Sequence, residues 1–469
     1  MSRIKFPSAY TILFVLIIVV AGLTWFVPAG RYEMVENEKL GKELPVAGSY
    51  HQVEANPQGI VDVLMAPVAG FYSPASNEAN AIDVALFVLI IGGFLGVVNK
   101  TGAIDTAIGR ITAKLKGREI WLIPILMTLF AAGGTIYGMA EETLAFYTLI
   151  IPVLIAAGYD TITAVAVIMI GAGMGTLGST INPFATVIAS DAAGIPFTEG
   201  LAFRVFILFA GLLTCIAYVM RYASRVKTNP SSSLVADLAE SNRTRFLGSK
   251  QGDVTGTLSG AQKAILVIFG VSFAMLVYGV SVLGWWMAEM SALFLTAAIL
   301  VCLVARMGEE KFTSTFVDGA RDLLGVALVI GLARGIVVVM DSGNLTGTLL
   351  HSSESLVGGL SEVGFVNAMF LVQMVLSVFV PSSSGLAVLS MPIMAPLAVF
   401  SGVPSHLAVT AFQSANGLVN LINPTFAVVM GGLAIGRVPY QRWLKFMWPL
   451  MLMIAALILI TLTAGVLFI

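Results

Sequence analysis

Two acidic residues stand side by side in an apolar setting, Glu141 and Glu142 in GMAEETLAFYTLIIPVLIAAGYD. Carboxylates inside a stretch apolar enough for a bilayer are expensive to keep and mark functional positions. They suit three kinds of chemistry: binding a coupling cation, taking up a proton, or pairing with a cationic group on a substrate. One of them can instead be structural, capping a half-helix expected to begin at Thr143.

Further on, the chain reads Ser179-Thr180-Ile181-Asn182-Pro183, and Ile-Asn-Pro returns at Ile422-Asn423-Pro424. Asn is a favoured N-cap and Pro is favoured at the first helical position. Each motif is therefore expected to start a half-helix at membrane depth, with its free N–H groups and positive dipole end turned into a site. Ser382, Ser383 and Ser384 are placed to cap a third such start. Helix starts of this kind suit a carboxylate, and Ser179, Thr180, Ser414 and the two Asn side chains add hydrogen bonds. Arg334 falls mid-span, where it either grips a carboxylate in a two-point contact or neutralises a glutamate as a buried pair. Asn416 and Asn420 lie about one turn apart, lining the site or joining helices. The candidate substrate-binding set is Glu141, Glu142, Thr180, Asn182, Pro183, Arg334, Ser382, Ser383, Ser384, Asn416, Asn423 and Pro424. The candidate set for a coupling H+ or Na+ is Glu141, Glu142, Ser179, Asn182 and Asn423.

These residues sit in one stretch that occurs twice, Gly138–Pro183 and Ser382–Pro424. Each copy has a polar break, an apolar run, a Pro then a Gly, a second apolar run, and Ile-Asn-Pro. Irregular backbone at membrane depth is tolerated only where protein buries it or where it lines a cavity. Paired interrupted segments in two halves point to the binding site of a secondary transporter.

The rest of the chain fits. Of its 469 residues, 58% are hydrophobic and 11% charged, against about 25% charged in soluble domains. The apolar runs are long and continuous, so the spans are helices rather than barrel strands. A net charge of −1 gives no sign of a nucleic-acid partner. Cys215 and Cys302 lie in apolar runs and read as packing residues. Gly173-Met-Gly175-Thr-Leu-Gly178 matches a dinucleotide fingerprint but has no strand before it, and no P-loop, HExxH or GxSxG occurs. No enzymatic chemistry, catalytic residue, cofactor or metal other than Na+ is expected.

The organisation expected is a first membrane helix within 1–30, an extracytoplasmic loop over 31–80, repeat one over 81–220, a basic cytoplasmic linker over 221–262, a helical pair over 263–305, and repeat two over 306–469. Residues 106–118, with Arg110, Lys114, Lys116 and Arg118, read as a helix along the cytoplasmic interface. Asp318, Arg321 and Asp322 are expected at a helix start. Lys- and Arg-rich loops after residue 80 fall on one side, placing the N-terminus in the cytoplasm of a bacterial inner-membrane protein. The first hairpin then opens from the cytoplasm and the second from outside, an inverted repeat with two access routes.

The segments PSAYTILF, TWFVPAGRY, NKTGAID, GMAEETLAFY, GYD and STINPFAT resemble the YfcC-like branch of the C4-dicarboxylate anaerobic carrier (uptake C) family, within the ion transporter superfamily. The resemblance covers nearly the whole chain. It implies an all-α polytopic protein with inverted repeats, two re-entrant hairpins, a homodimer, and elevator motion of a hairpin-bearing body. It leaves the substrate between a C4-dicarboxylate and a basic amino acid such as arginine or ornithine. The second half departs from the first, with PSSSG in place of GMAEET, so the site is not symmetric in charge. The expected partners are a small carboxylate-bearing metabolite and the lipid bilayer, with a basic or zwitterionic amino acid ahead of a C4-dicarboxylate taken up with Na+ or H+. The competing class is an ion channel.

Overall fold

The computed structural model describes residues 9–37, 42–46, 48–74, 76, 78–104, 106–107, 110, 118–247, 258–283, 285–357 and 359–468. Lys114 and Lys116 of the interfacial stretch, and residues 248–257 of the linker, lie outside the described residues. Helix dominates, as continuous apolar runs require where backbone groups must be satisfied within the segment. Among the described residues, eight helices are long and apolar enough to cross a membrane.

One group of helices packs around a long rail. It comprises α1 (Ala9–Leu23), α2 (Ile60–Ala69), α3 (Ile82–Lys100), α10 (Gly260–Leu283), α11 (Met287–Val304) and α12 (Glu309–Ser342). The rail, α12, has 34 residues, about 51 Å at 1.5 Å per residue, against a hydrocarbon core of about 30 Å. It lies against α3 with almost no space between backbones: a Cβ on Gly96 would stand 3.0 Å from the Gly319 Cα. Asp318, Arg321 and Asp322 are inside α12 and not at its start, because Glu309 and Glu310 already occupy the first turn after the extended Gly308. Acidic residues there complement the dipole of a helix beginning earlier than the apolar run.

The second group repeats one packing scheme. The first copy runs α4 (Leu122–Tyr137), α5 (Thr143–Ala156), α6 (Thr161–Leu177), α7 (Ile188–Ala192) and α8 (Leu201–Thr228). The second runs α14 (Glu362–Phe379), α15 (Ser383–Phe400), α16 (Ser405–Val419), α17 (Ala427–Ile435) and α18 (Tyr440–Leu467). In each copy the first arm, the second arm and the last helix all pack on the broken helix, α6 or α16. Those two form the centre: α6 is buried at every residue except Gly173 and Thr176, and α16 at every residue from Leu407 to Val419. They meet where Gly417 abuts Leu177, 2.5 Å from a Cβ position to the Leu177 Cα. The half-helix after each break packs against the hairpin arm of the other copy, α7 on α15 and α17 on α5.

Polar segments are more ordered than a loop reading implies. In 31–80, short strands pair Gly30–Arg31 with His51–Gln52 and Met34–Asn37 with Lys42–Pro45. The Tyr50 and Thr348 hydroxyls, 3.1 Å apart, and a 3.0 Å bond from the Tyr32 hydroxyl to the Glu354 Oε2 fasten this loop to α13 (Leu345–Val357). The linker carries two short 3-10 turns and α9 (Ala239–Leu247).

Asp160 anchors that linker. Its Oδ1 accepts from the Thr163 N–H at 2.8 Å, capping α6, and from the Thr163 hydroxyl at 2.7 Å. Its Oδ2 accepts from the Tyr222 and Ser233 hydroxyls, each at 2.6 Å. Asp160→Ala removes a cap and charge-assisted bonds together, so we expect a stability loss of about 2–4 kcal/mol. Asp62→Ala, which removes an exposed carboxylate bonded to the Gly59 N–H, is expected to lose well under half of that. Thermal unfolding of both variants in one detergent checks the difference.

Candidate functional site

The two hairpin tips converge on one cavity of about 330 Å³ beside the rail. Hairpin one contributes Gly138, Ala140, Glu141 and Glu142; hairpin two contributes Pro381, Ser382, Ser383 and Ser384. Arg334 enters from α12, and Thr425, Phe426 and Ala427 come from the second break. Asn80, Ala81 and Trp286 also line it, with the Trp286 indole N–H donating to the Asp83 Oδ2 at 3.1 Å.

The first tip turns because Gly138 takes a left-handed conformation, φ +78°, which a side chain disfavours. A Cβ on Gly138 would also stand 2.7 Å from the Asn182 Oδ1. Glu142 is 4% exposed and its Oε2 accepts from the Ala140 N–H at 3.0 Å. It fastens the turn and makes no side-chain cap to α5, although α5 does begin at Thr143. Glu141 is half-buried on the cavity wall and makes no ion pair among the described residues. The two adjacent carboxylates therefore differ: one is held in the turn, the other faces the cavity.

Arg334 is exposed to the cavity, and among the described residues no ion pair joins it to either glutamate. Of the two readings of this residue, buried pairing is not what the structure contains. On the second tip, the Ser382 hydroxyl accepts from the Gly385 N–H at 3.2 Å and caps α15, as its position predicts. The N–H groups of the first turn of α15 thus lie at the cavity wall, a site suited to anions.

The Asn residues stand behind this wall. Asn416 is buried and accepts from the Ser383 hydroxyl at 2.9 Å; Asn420 donates to the Asn416 Oδ1 at 3.2 Å and to the Pro381 carbonyl at 2.8 Å. They hold the second tip and do not line the cavity. Asn182 donates to the Gly134 carbonyl at 3.3 Å and accepts from the Ala185 N–H at 3.2 Å, capping the π-helical turn Pro183–Val187. The second motif differs. Asn423 donates to the Ser377 carbonyl at 2.9 Å and accepts from the Thr425 N–H at 3.1 Å, while α17 begins only at Ala427. So Asn182-Pro183 starts helical backbone at once, and Asn423-Pro424 makes a turn first.

The Thr180 and Thr135 hydroxyls lie 3.1 Å apart. Ser179 lies 2.6 Å from the Thr186 hydroxyl, which donates to the Gln413 Oε1 at 2.5 Å. Gln413 returns its amide to the Leu177 and Ser179 carbonyls, at 3.1 and 3.0 Å. The Ser414 hydroxyl is buried with no hydrogen-bond partner among the described residues. Gln413, Thr425, Asn80 and Trp286 are participants the sequence reading missed. An amide one turn before Asn416 inside the apolar run of α16 was the available signal for Gln413, and adjacency to Ile-Asn-Pro the signal for Thr425.

Solved structures similar to this chain include the YdaH transporter of Alcanivorax borkumensis, at 14% identity, 98% of this chain, 99% of that one and a TM-score of 0.38. The antimetabolite efflux pump MtrF of Neisseria gonorrhoeae is similar at 14% identity, 98% of this chain, 95% of that one and a TM-score of 0.41. Sequence relatives are nearer. An uncharacterized Haemophilus influenzae protein is 35% identical over 97% of this chain and 95% of its own length. The Escherichia coli putative basic amino acid antiporter YfcC is 34% identical over 70% of this chain and 67% of its own. The family described as C4-dicarboxylate anaerobic carrier, DcuC, matches residues 6–467. With hairpins, breaks and tip glutamates in place over that span, the chain belongs to the C4-dicarboxylate anaerobic carrier family of membrane transporters.

Proposed function

We propose that this chain is a secondary carrier of a small carboxylate-bearing metabolite, and that a basic or zwitterionic amino acid such as arginine or ornithine is its substrate. The observation that carries the reading is the polarity of the cavity. Its lining carries both signs: Arg334 and the capped start of α15 favour negative charge, and Glu141 favours positive charge. A carboxylate matches the first pair through charge-assisted hydrogen bonds, and a cationic side chain or amino group matches Glu141. About 330 Å³ is at the lower end of ligand pockets, roughly 300–1,000 Å³, which suits a single amino acid. The Escherichia coli relative is named as a putative basic amino acid antiporter, which agrees with this chemistry.

A C4-dicarboxylate carried with Na+ or H+ is the second reading, favoured by the same Arg334 and helix start. Its far carboxylate would meet Glu141, so it needs a proton or a cation between them. In either case the hairpin-bearing helices are the moving body and α12 with its neighbours the fixed one, the division an elevator requires. The basic ends of α8 and α18 and the linker between the repeats lie on the cytoplasmic side of an inner membrane.

Ligand-dependent thermal stability separates the substrates. At a concentration near 100 times Kd, a ligand bound only by the folded state stabilises by about 2.7 kcal/mol. We expect arginine or ornithine to raise the unfolding temperature in K+ buffer without Na+. Stabilisation by succinate or fumarate, and only with Na+, overturns the amino-acid reading. Saturable, trans-stimulated flux in proteoliposomes is expected, whereas ohmic conductance identifies a channel.

The two glutamates should part company in the same assay. Glu141→Gln is expected to keep the ligand-free unfolding temperature and to weaken arginine binding about tenfold or more, about 1.4 kcal/mol. Glu142→Ala removes the side-chain acceptor that closes a buried turn and is expected to lower the ligand-free unfolding temperature. Equal arginine affinity in Glu141→Gln and the parent removes Glu141 from the site.

A further inference from the structure

A second cavity, about 840 Å³, lies between the same two groups of helices. Its walls include Leu95 of α3, Thr148 of α5, Leu323 of α12 and Ile435 of α17, and the end of α9 contributes Arg245 and Leu247. The two cavities are successive stretches of one cleft. The rail α12 supplies residues between Ile330 and Val337 to the first and between Gly319 and Val329 to the second. The half-helix α17 supplies Phe426 and Ala427 at its start to the first, and Ala434 and Ile435 at its end to the second. Its nine residues span about 13 Å, so a slide of that order along α12 carries the hairpin tips from one cavity to the other.

The segment bearing α9 is fastened to the hairpin-bearing body. Ser233 donates to Asp160 at 2.6 Å, the Asn242 amide donates to the Thr161 hydroxyl at 3.3 Å, and Arg442 Nη2 donates to the Asp237 Oδ2 at 2.8 Å. That last contact holds the Asp237 carboxyl below the usual carboxylate range. At its far end α9 reaches across the cleft, where Arg245 Nη2 meets the Asp322 Oδ1 on the rail at 2.7 Å. Both side chains are about half exposed, 50% and 54%.

We infer that α9 is a latch: it travels with the hairpin-bearing body, and its Arg245–Asp322 bridge to the rail favours the conformer in which the tips line the first cavity. This rests on the two-body carrier reading. A slide along α12 must separate Arg245 from Asp322, because one is bonded through α9 to the moving body and the other belongs to the rail. A contact made in one conformer alone shifts the equilibrium by its own free energy and no more. An exposed pair is worth about two- to five-fold in such an equilibrium. That is enough to set a resting conformer and too little to stop turnover.

The test is cysteine labelling of the full chain in detergent, on Thr148→Cys in a Cys302→Ser background, with a bulky maleimide. Thr148 is half-buried in the second cavity, so its labelling reports the opening of the cleft. Asp322→Asn, which keeps the shape of the side chain, is expected to raise the labelling rate about two- to five-fold. The exchanged pair Arg245→Asp with Asp322→Arg is expected to bring it back to the parent value. Salt near 1 M, where screening acts within about 3 Å, is expected to raise the parent rate and leave Asp322→Asn unchanged. Unaltered unfolding temperatures establish that the variants are folded. Equal rates in the parent and Asp322→Asn overturn the latch, and so does a raised rate that the exchanged pair fails to restore. Labelling needs no substrate, so a failed ligand panel leaves this result standing, and an absent latch leaves the cavity chemistry standing.

Discussion

Peptide groups that leave a helix inside an apolar slab must find partners there, and most of the centre of this molecule follows from that demand. Among the described residues of the two repeated units, the chain leaves helix within its apolar stretches at two hairpin tips and after α6 and α16. At each place a short polar side chain answers the exposed backbone. Glu142 accepts from Ala140, Ser382 from Gly385, Asn182 from Ala185 and Asn423 from Thr425. Carbonyls are answered likewise, with Gln413 covering Leu177 and Ser179 and Asn423 covering Ser377. Water could supply such bonds in a soluble protein. Here the N–H groups are answered from within each break and the carbonyls from a neighbouring repeat or hairpin arm, which draws the breaks together. A cavity lined by helix ends is the result of that clustering.

The asymmetry of the cavity has the same origin. Hairpin one closes its turn with a carboxylate, and its neighbour Glu141 is left on the wall; hairpin two closes its turn with hydroxyls. Arg334 stands on the rail and not in either hairpin. Sliding of the hairpin-bearing body would change the distance from Arg334 to Glu141, and a substrate gripped by both would feel that change. A carrier whose opposite charges sit on different bodies can couple the grip on its substrate to the position of the body.

The sequence made part of this legible. Doubled breaks, two hairpins, the tip glutamates and the serine cap follow from residue types that have few alternatives inside an apolar run. The side of a helix that an Asn faces does not follow. Asn416 lies on a helix buried nearly all round, so no amphipathic stripe tells the cavity from the packing side, and only tertiary contact shows that it holds Ser383. The late start of α17 was hidden for a similar reason. An Asn-Pro pair fits a turn as readily as a helix start, and the Ser377 carbonyl decides between them. The linker was hidden by composition, because a polar, Ser- and Asn-rich stretch reads as unstructured until Asp160 and Arg442 are found waiting for it.

The contrast between interfaces bears on how such a molecule moves. Between α3 and α12, Gly92 and Gly96 bring backbones to within a Cβ's width of Gly319. Packing this close has no slack, and small residues at that spacing lock helices together in lipid. The cleft between α12 and the hairpin-bearing body is different. It holds two cavities and is crossed by the α12–α17 contact and the exposed Arg245–Asp322 pair. Dense packing has discrete minima and resists shear, whereas a contact interrupted by voids loses little when it shifts. The glycines of α3 and α12 therefore do more than fit two helices together: they make the rail stiff, and under the proposed carrier mechanism a stiff rail beside a loose cleft would confine motion to one direction.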